Sequence, residues 1–255
     1  MLLREALRIS QQEALSPRGE RPWPSHSYTV AMTFKKETYS LKAAEYIRNL
    51  IRSGALLPGQ PVREAQISEQ LNISRAPIRE ALLLLAQQGL ICSEPQKGKY
   101  VRSMSTQEIY DSYVGAGILV GAGVAQSIHL WGEKEDAAFL DVVRVLEEQV
   151  NYAVSLDTLA EIDEAFHMTL LSACTNHHLI HLARTSCSSL AKFLYYHQWR
   201  TLYTPKEFYD RHQLIVDAVN SRDPIRIECV LRQHYAEVGE RLCELVYEDT
   251  LAQEK

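Results

Sequence analysis

The stretch NISRAPIREALLLLAQQGL, Asn72 to Leu90, places two arginines and a proline at the mouth of a strongly apolar helix. A core helix needs no charged entrance, and an ordinary surface helix does not carry four consecutive leucines. Such a helix must bury one side and keep its N-terminal end for something polar. Ser74 is the natural N-cap, Pro77 falls in the first turn, where a missing N–H costs little, and Gly89 closes the helix. Arg75 and Arg79 stand four apart and so share a face, where the helix's own N–H groups add positive potential. Two settings fit that pair: a nucleic-acid groove, or solvent with Glu69 or Glu80 as ion-pair partners.

The flanks narrow the choice. Leu41, Ala44, Ile47, Leu50 and Ile51 recur at helical spacing between Tyr39 and Ser53, and Gly54 ends the run. REAQISEQL predicts a second, short helix with Ala65, Ile67 and Leu71 as its apolar members, followed by a tight corner at Asn72 and Ile73. Past Gly89, LICSEP and KYVRSM predict two short strands around a QKG tip. Three helices and a hairpin, with a short turn between the second and third helices, describe a winged helix-turn-helix. Charge agrees with this. Thr33 to Ser103 carries eleven Lys/Arg against six Asp/Glu, whereas Met104 to Lys255 carries twelve against twenty-three. The net charge of -5 therefore hides a basic front half and an acidic back half, which suggests two modules with different partners.

The expected organisation is a polar N-terminal tail at 1–37, a winged-helix DNA-binding domain at 38–103, and an all-α effector-binding and dimerisation domain at 104–255. In the last of these, Ser105 with Glu108 and Thr204 with Glu207 predict capping boxes, the second with Pro205 at N1. Asp223-Pro224 opens a final helix running to about Glu248. The fold class is mainly α: the winged head plus a bundle of six or seven helices. Within the bundle, EIDEAFHMTL puts Asp163 and His167 on one face of one helix, and His212 and His234 sit on later helices. One carboxylate and three imidazoles from three helices suit a first-row divalent ion. A structural role for the Asp163–His167 pair stays open, since His177, His178 and His181 show how freely this chain uses histidine.

The most membrane-like run, VGAGILVGAGVA from Val114 to Ala125, is twelve residues long, and a span needs about twenty. The first thirty residues hold no apolar signal region, and the five cysteines form no CxxC pair. A cytoplasmic protein with reduced thiols and no membrane partner is the expectation. The glycines at 115, 117, 121 and 123 each cost about 1 kcal/mol in a helix interior, so they need a reason. Close helix packing, including a dimer interface through Gly117 and Gly121, is one reading and a roomier effector pocket is another. A dinucleotide-binding turn is the third, although no strand precedes it.

The run from SGALLPGQPVREAQISEQL through SRAPIREAL to QKGKYV resembles the DNA-binding domain of the GntR family of bacterial regulators. The resemblance implies that Arg63, Ser74, Arg75, Arg79 and Gly98 contact operator DNA. Lys97 and Lys99 flank the wing glycine where Arg-Gly is commoner, and lysine lacks the guanidinium fork, so backbone contacts are expected there. The back half resembles the C-terminal effector (FCD) domain of the FadR subfamily. It does so through Asp163-x3-His167, Asn176, RHQLIVDAVNSRD, and His234 twenty-two residues past His212. That resemblance implies a divalent metal (zinc, nickel or manganese) held by Asp163, His167, His212 and His234, helping to bind a small organic acid. Asn176 reads as a helix-end residue. The effector-binding residues stay unknown. The subfamily's usual arginine and glutamate align with Tyr113 and Gly117, which leaves Arg184, Arg200 or the metal as carboxylate anchors.

The expected function is a ligand-responsive transcription regulator, not an enzyme, binding a pseudo-palindromic double-stranded operator as a homodimer. Two other classes compete. One is a metal-dependent hydrolase or lyase in the back half; against it, Glu164 neighbours Asp163 in sequence but points about 100° away. The other is an architectural DNA binder without effector.

Overall fold

The computed structural model describes residues 38–96, 98–152, 156–185 and 187–253; the expected tail at 1–37 and Lys97 lie outside them. The front part holds helices α1 (Tyr39–Arg52), α2 (Glu64–Leu71) and α3 (Arg75–Gln87), then the hairpin β1 (Ile91–Glu94) and β2 (Gly98–Val101). The strands are antiparallel, with Ile91 opposite Val101 and Glu94 opposite Gly98. Gly98 has φ +78°, a left-handed value that side chains resist, so the hairpin tip favours glycine there. The chain entering α2 runs beside β2: Val62 N donates to Lys99 O at 2.8 Å, and Val101 N donates to Gln60 O at 2.9 Å.

Burial explains the leucine run. Ile78, Ala81, Leu82 and Leu85 of α3 are buried with Ala43, Ala44, Ile47 and Ile51 of α1 and Ile67 of α2. Leu83 faces away and is 60% exposed, so the run is a one-sided stripe with one apolar residue left over. Leu41 and Ala65, expected inside from spacing, are exposed. Leu41 lies at the side of its helix's buried face, and Ala65, two residues before buried Ile67, points to roughly the opposite side of its helix.

Behind the head comes α4 (Thr106–Ser127), continued by a 3-10 turn at Ile128–Leu130, and then α5 (Glu133–Tyr152), α6 (Leu156–Leu170), α7 (His177–Arg184) and α8 (Cys187–Leu194). They are followed by the single turn α9 (Tyr196–Trp199), by α10 (Pro205–Asn220) and by the long α11 (Pro224–Gln253). Both expected capping boxes form, at Ser105–Glu108 and Thr204–Glu207. The apolar helix is longer than its twelve-residue run suggested: Thr106–Leu130 is long and apolar enough, by length and composition alone, to cross a membrane. Half of its most apolar window is nonetheless buried inside the protein, and its main neighbour is α11.

The glycines account for that contact. A Cβ on Gly117 would lie 2.9 Å from Tyr235 Cβ and 3.2 Å from the Arg232 Cα, and one on Gly121 would lie 3.2 Å from the Glu228 carbonyl oxygen. Gly239 of α11 returns the notch, since a Cβ there would lie 2.9 Å from Tyr113 Cβ. The Gly117/Gly121 pair thus packs against a helix of its own chain. Gly115 faces nothing within 4 Å.

The bundle meets the head along α8 and α9. Tyr195 is buried, and its hydroxyl accepts from Met104 N and donates to Met104 O, both at 2.9 Å. The Arg52 guanidinium lies 5.1 Å from the Tyr196 ring centre, and the His197 ring covers Gly54.

Gly117→Ala should lower stability against urea, because overpacking of about 1–3 kcal/mol outweighs the gain in helix propensity. Gly115→Ala should raise stability by about 1 kcal/mol. Tyr195→Phe leaves both backbone groups of buried Met104 unpaired, with an expected loss of about 1–3 kcal/mol in the same measurement.

Candidate functional site

Two clusters of polar groups stand out, one on the head and one inside the bundle. On the head, the N-terminal end of α3 is open. Ser74 has the extended backbone of an N-cap, φ -66° and ψ 163°, but its side chain makes no cap hydrogen bond, so the hydroxyl is not committed to the helix. Arg75 is exposed, as are Arg63 just before α2 and Gly98 on the wing. Arg79 is 63% exposed in its side chain yet has a partner: its Nε donates to Glu64 Oε2 at 2.9 Å. That partner belongs to α2 and is neither of the two glutamates the sequence offered. Lys99 Nζ donates to the other oxygen of Glu64 at 3.2 Å. The hydrogen bond from Arg79, helped by Lys99 and opposed by slight burial, holds the Glu64 carboxyl below its ordinary range. One carboxylate therefore ties α2, the recognition-type helix and the wing together. Lys97 lies outside the described residues.

Inside the bundle, α6, α10 and α11 bring His167, His212 and His234 together, with ligand-capable atoms all within 4.8 Å of one another. Ring centres are 5.6 Å apart for His167–His212, 5.1 Å for His167–His234 and 5.0 Å for His212–His234. Phe166 and Phe208 wall off the His212 ring at 4.9 and 4.2 Å between ring centres. His212 Nδ1 lies 2.7 Å from the Phe208 carbonyl oxygen. A carbonyl only accepts, so Nδ1 carries the hydrogen and a neutral ring keeps its lone pair on Nε2. That Nε2 lies 3.3 Å from Asp163 Oδ1, and His167 Nε2 lies 3.7 Å from the same oxygen.

The His212 lone pair therefore faces a carboxylate. His212 Nε2 and His167 Nδ1 are buried without hydrogen-bond partners, an arrangement that costs free energy unless a cation or proton lies among them. Burial, opposed by Asp163, lowers the His167 pKa to about 4. Burial, with the two neighbouring rings, pushes His234 well below its usual value. Burial alone would raise Asp163, but Lys192 and the imidazoles override it and keep its carboxyl well below the ordinary range. These three histidines can hold a metal ion, and the donor set suits the nitrogen and oxygen preference of a first-row divalent cation.

Two neighbours were not picked out from the sequence. Lys192 of α8 donates from Nζ to Asp163 Oδ2 at 2.6 Å and lies 3.7 Å over the Trp199 ring centre. Its only signal is a lysine within the apolar run SLAKFLYY. Tyr113, noted only as standing in the place of an arginine, is buried with its hydroxyl unpartnered, and burial with nearby Asp163 pushes its pKa up. Of the other candidates, Arg200 lines a small cavity with Leu159, Trp199, Tyr203 and Phe208, and Arg184 is exposed at the end of α7. Asn176 caps α7, accepting from Leu179 N at 3.0 Å. Glu164 is exposed.

Comparison with known proteins matches the head and most of the bundle to two family models. Residues 39–101 match "Bacterial regulatory proteins, gntR family", and residues 121–237 match "FCD domain". The HTH-type transcriptional repressor GlaR of Escherichia coli is 27% identical over 201 residues, spanning 76% of this chain and 91% of that protein. An HTH-type transcriptional regulator from the TAR-I ttuE-ttuC' intergenic region of Agrobacterium vitis is 32% identical over 129 residues, 49% of this chain and 75% of its own. A GntR transcriptional regulator from Rhodococcus sp. RHA1 has the same fold, with a TM-score of 0.59 at 21% identity over 80% of this chain and 96% of that one. A DNA-binding head of one described kind, joined to a helical domain of the other and shared with repressors and regulators, points away from an enzyme. The chain belongs to the GntR family of transcriptional regulators, with a winged helix-turn-helix head and an FCD effector domain.

Proposed function

We propose that this regulator works as a homodimer, with residues 38–103 reading a pseudo-palindromic operator and residues 104–255 forming the dimer and binding a small carboxylate effector. Arg75 and Arg79 enter the major groove from the N-terminal end of α3, with Ser74, Arg63, Lys97 and Gly98 at the DNA backbone. Asp163, His167, His212 and His234 hold a divalent metal such as zinc, nickel or manganese, as in the FadR subfamily. Such an ion supplies a Lewis-acidic contact for the effector's carboxylate. The observation that carries the sensor half is the buried histidine cluster, in which the unpartnered Nε2 of His212 faces Asp163 and Nδ1 of His167 is likewise without a hydrogen-bond partner. For the DNA-reading half, support comes from the exposed Arg75 and the uncommitted Ser74 hydroxyl at one helix end. Effector binding changes the fit of two heads to two half-sites, which is a coupling free energy between separate sites.

Selection of duplexes from a randomised pool, followed by competition binding, tests the reading head. Arg75→Ala or Arg79→Ala should each cost about 1–3 kcal/mol of discrimination at one base position. Equal weakening on every sequence would mean phosphate contacts alone. For the sensor, adding zinc to chelator-stripped protein should raise its melting temperature, by the equivalent of about 2.7 kcal/mol when free zinc is a hundredfold above Kd. His212→Ala and His234→Ala should abolish that rise. A melting temperature indifferent to zinc in the unaltered protein removes the metal from the proposal.

A further inference from the structure

Asp163 offers its two oxygens to different partners. Oδ1 faces the imidazoles, at 3.3 Å from His212 Nε2 and 3.7 Å from His167 Nε2. Oδ2 accepts from Lys192 Nζ at 2.6 Å. The lysine reaches in from α8 with its side chain 23% exposed, its ammonium seated on the Trp199 face. An ammonium has three donors, and a single Asp163 oxygen accepts from this one.

Charge counting then constrains what the site takes. Asp163 and Lys192 cancel, and imidazoles acting as metal ligands carry no charge. Phenols are neutral near neutral pH, so Tyr113 and Tyr235 add no charge, and Arg211 is paired with Glu237. A divalent cation on Oδ1 and the imidazoles would therefore leave two positive charges uncompensated in a largely buried place, which is costly unless anions balance them. A monocarboxylate balances one. The two cationic points also lie on opposite oxygens of Asp163, so two separated anionic groups suit them better than one compact anion.

We infer that Lys192 is a second anchoring point that selects a dianionic effector, a short dicarboxylate with one carboxylate toward the histidine cluster and the other at the Lys192 ammonium. This rests on the metal-assisted effector site proposed above. Lys192 replaces in function the arginine whose place Tyr113 takes, and does so from a different helix. Because α9 follows α8 directly and meets Arg52 of the head through Tyr196, the second carboxylate contacts the part of the bundle nearest the DNA-binding helices.

Calorimetric titration of zinc-loaded full-length protein tests this. The ligands are malonate, succinate and glutarate, each against its monomethyl ester, which keeps the length and removes one charge. Zinc content is counted in parallel by mass spectrometry. The unaltered protein should bind at least one diacid about tenfold or more tighter than its monoester, the scale of one charge-assisted hydrogen bond. Lys192→Met should keep zinc and lose that preference, and Lys192→Arg should keep both. Equal affinity for every diacid and its ester in the unaltered protein overturns the inference, as does a preference that survives in Lys192→Met. If Lys192→Met does not fold, the diacid–ester comparison in the unaltered protein decides alone. Zinc missing from the unaltered protein overturns the metal reading itself, a result separate from zinc that is retained without diacid preference.

Discussion

The close approach of α4 and α11 is the constraint from which the bundle is built. Each helix lends glycines to the other: Gly117 makes room for Tyr235, and Gly239 makes room for Tyr113. Side chains at these positions would push the axes apart, and interior packing is too dense to absorb that shift elsewhere. The notch also fixes the rotation of α11 about its own axis. Tyr235 seated against α4 leaves the preceding His234 beside His167 and His212, with the Tyr235 ring 5.1 Å from that of His167. Helix propensity is sacrificed along α4 so that a histidine on another helix can be placed.

The cluster that results is a polar island in an apolar bundle. Leu159, Ile162, Phe166 and Leu170 of α6 are buried on either side of Asp163 and His167. Isolated charge there would be unfavourable, which is why burial drives His167 and His234 toward the neutral ring and why Asp163 has an ammonium beside it. Neutral imidazoles with free lone pairs are the form in which histidine ligates a metal. A structural histidine pair would have closed these lone pairs with donors. In His212 the Nδ1–H donates to the Phe208 carbonyl, and the lone pair on Nε2 is left without a donor.

On the head, Glu64 changes the meaning of the arginine pair. Arg79 is exposed but held, and the same carboxylate holds Lys99 of the wing. An exposed ion pair of this sort adds little stability. It does restrict where a long, flexible guanidinium can point, and a pre-oriented fork loses less entropy when it meets its acceptor. Arg75 has no such tether in α2, so the two arginines that look equivalent in sequence are differently prepared.

Much of this was legible from periodicity and punctuation. The one-sided stripe of α3, its N-cap at Ser74, its end at Gly89 and the two capping boxes all appear in the structure as local spacing requires, because caps and amphipathic faces depend on neighbours three or four residues away. The i, i+4 spacing of Asp163 and His167 was likewise readable within one helix. Spacing overreached at Leu41 and Ala65, which stand off the buried faces of their helices. Tertiary structure alone decided that the helix glycines serve a contact within the chain, that Glu64 is the partner of Arg79, and that Lys192 reaches Asp163 across 29 residues. These are meetings between separate elements. A linear pattern records what each helix can bury, but not which side chain of another helix will arrive there.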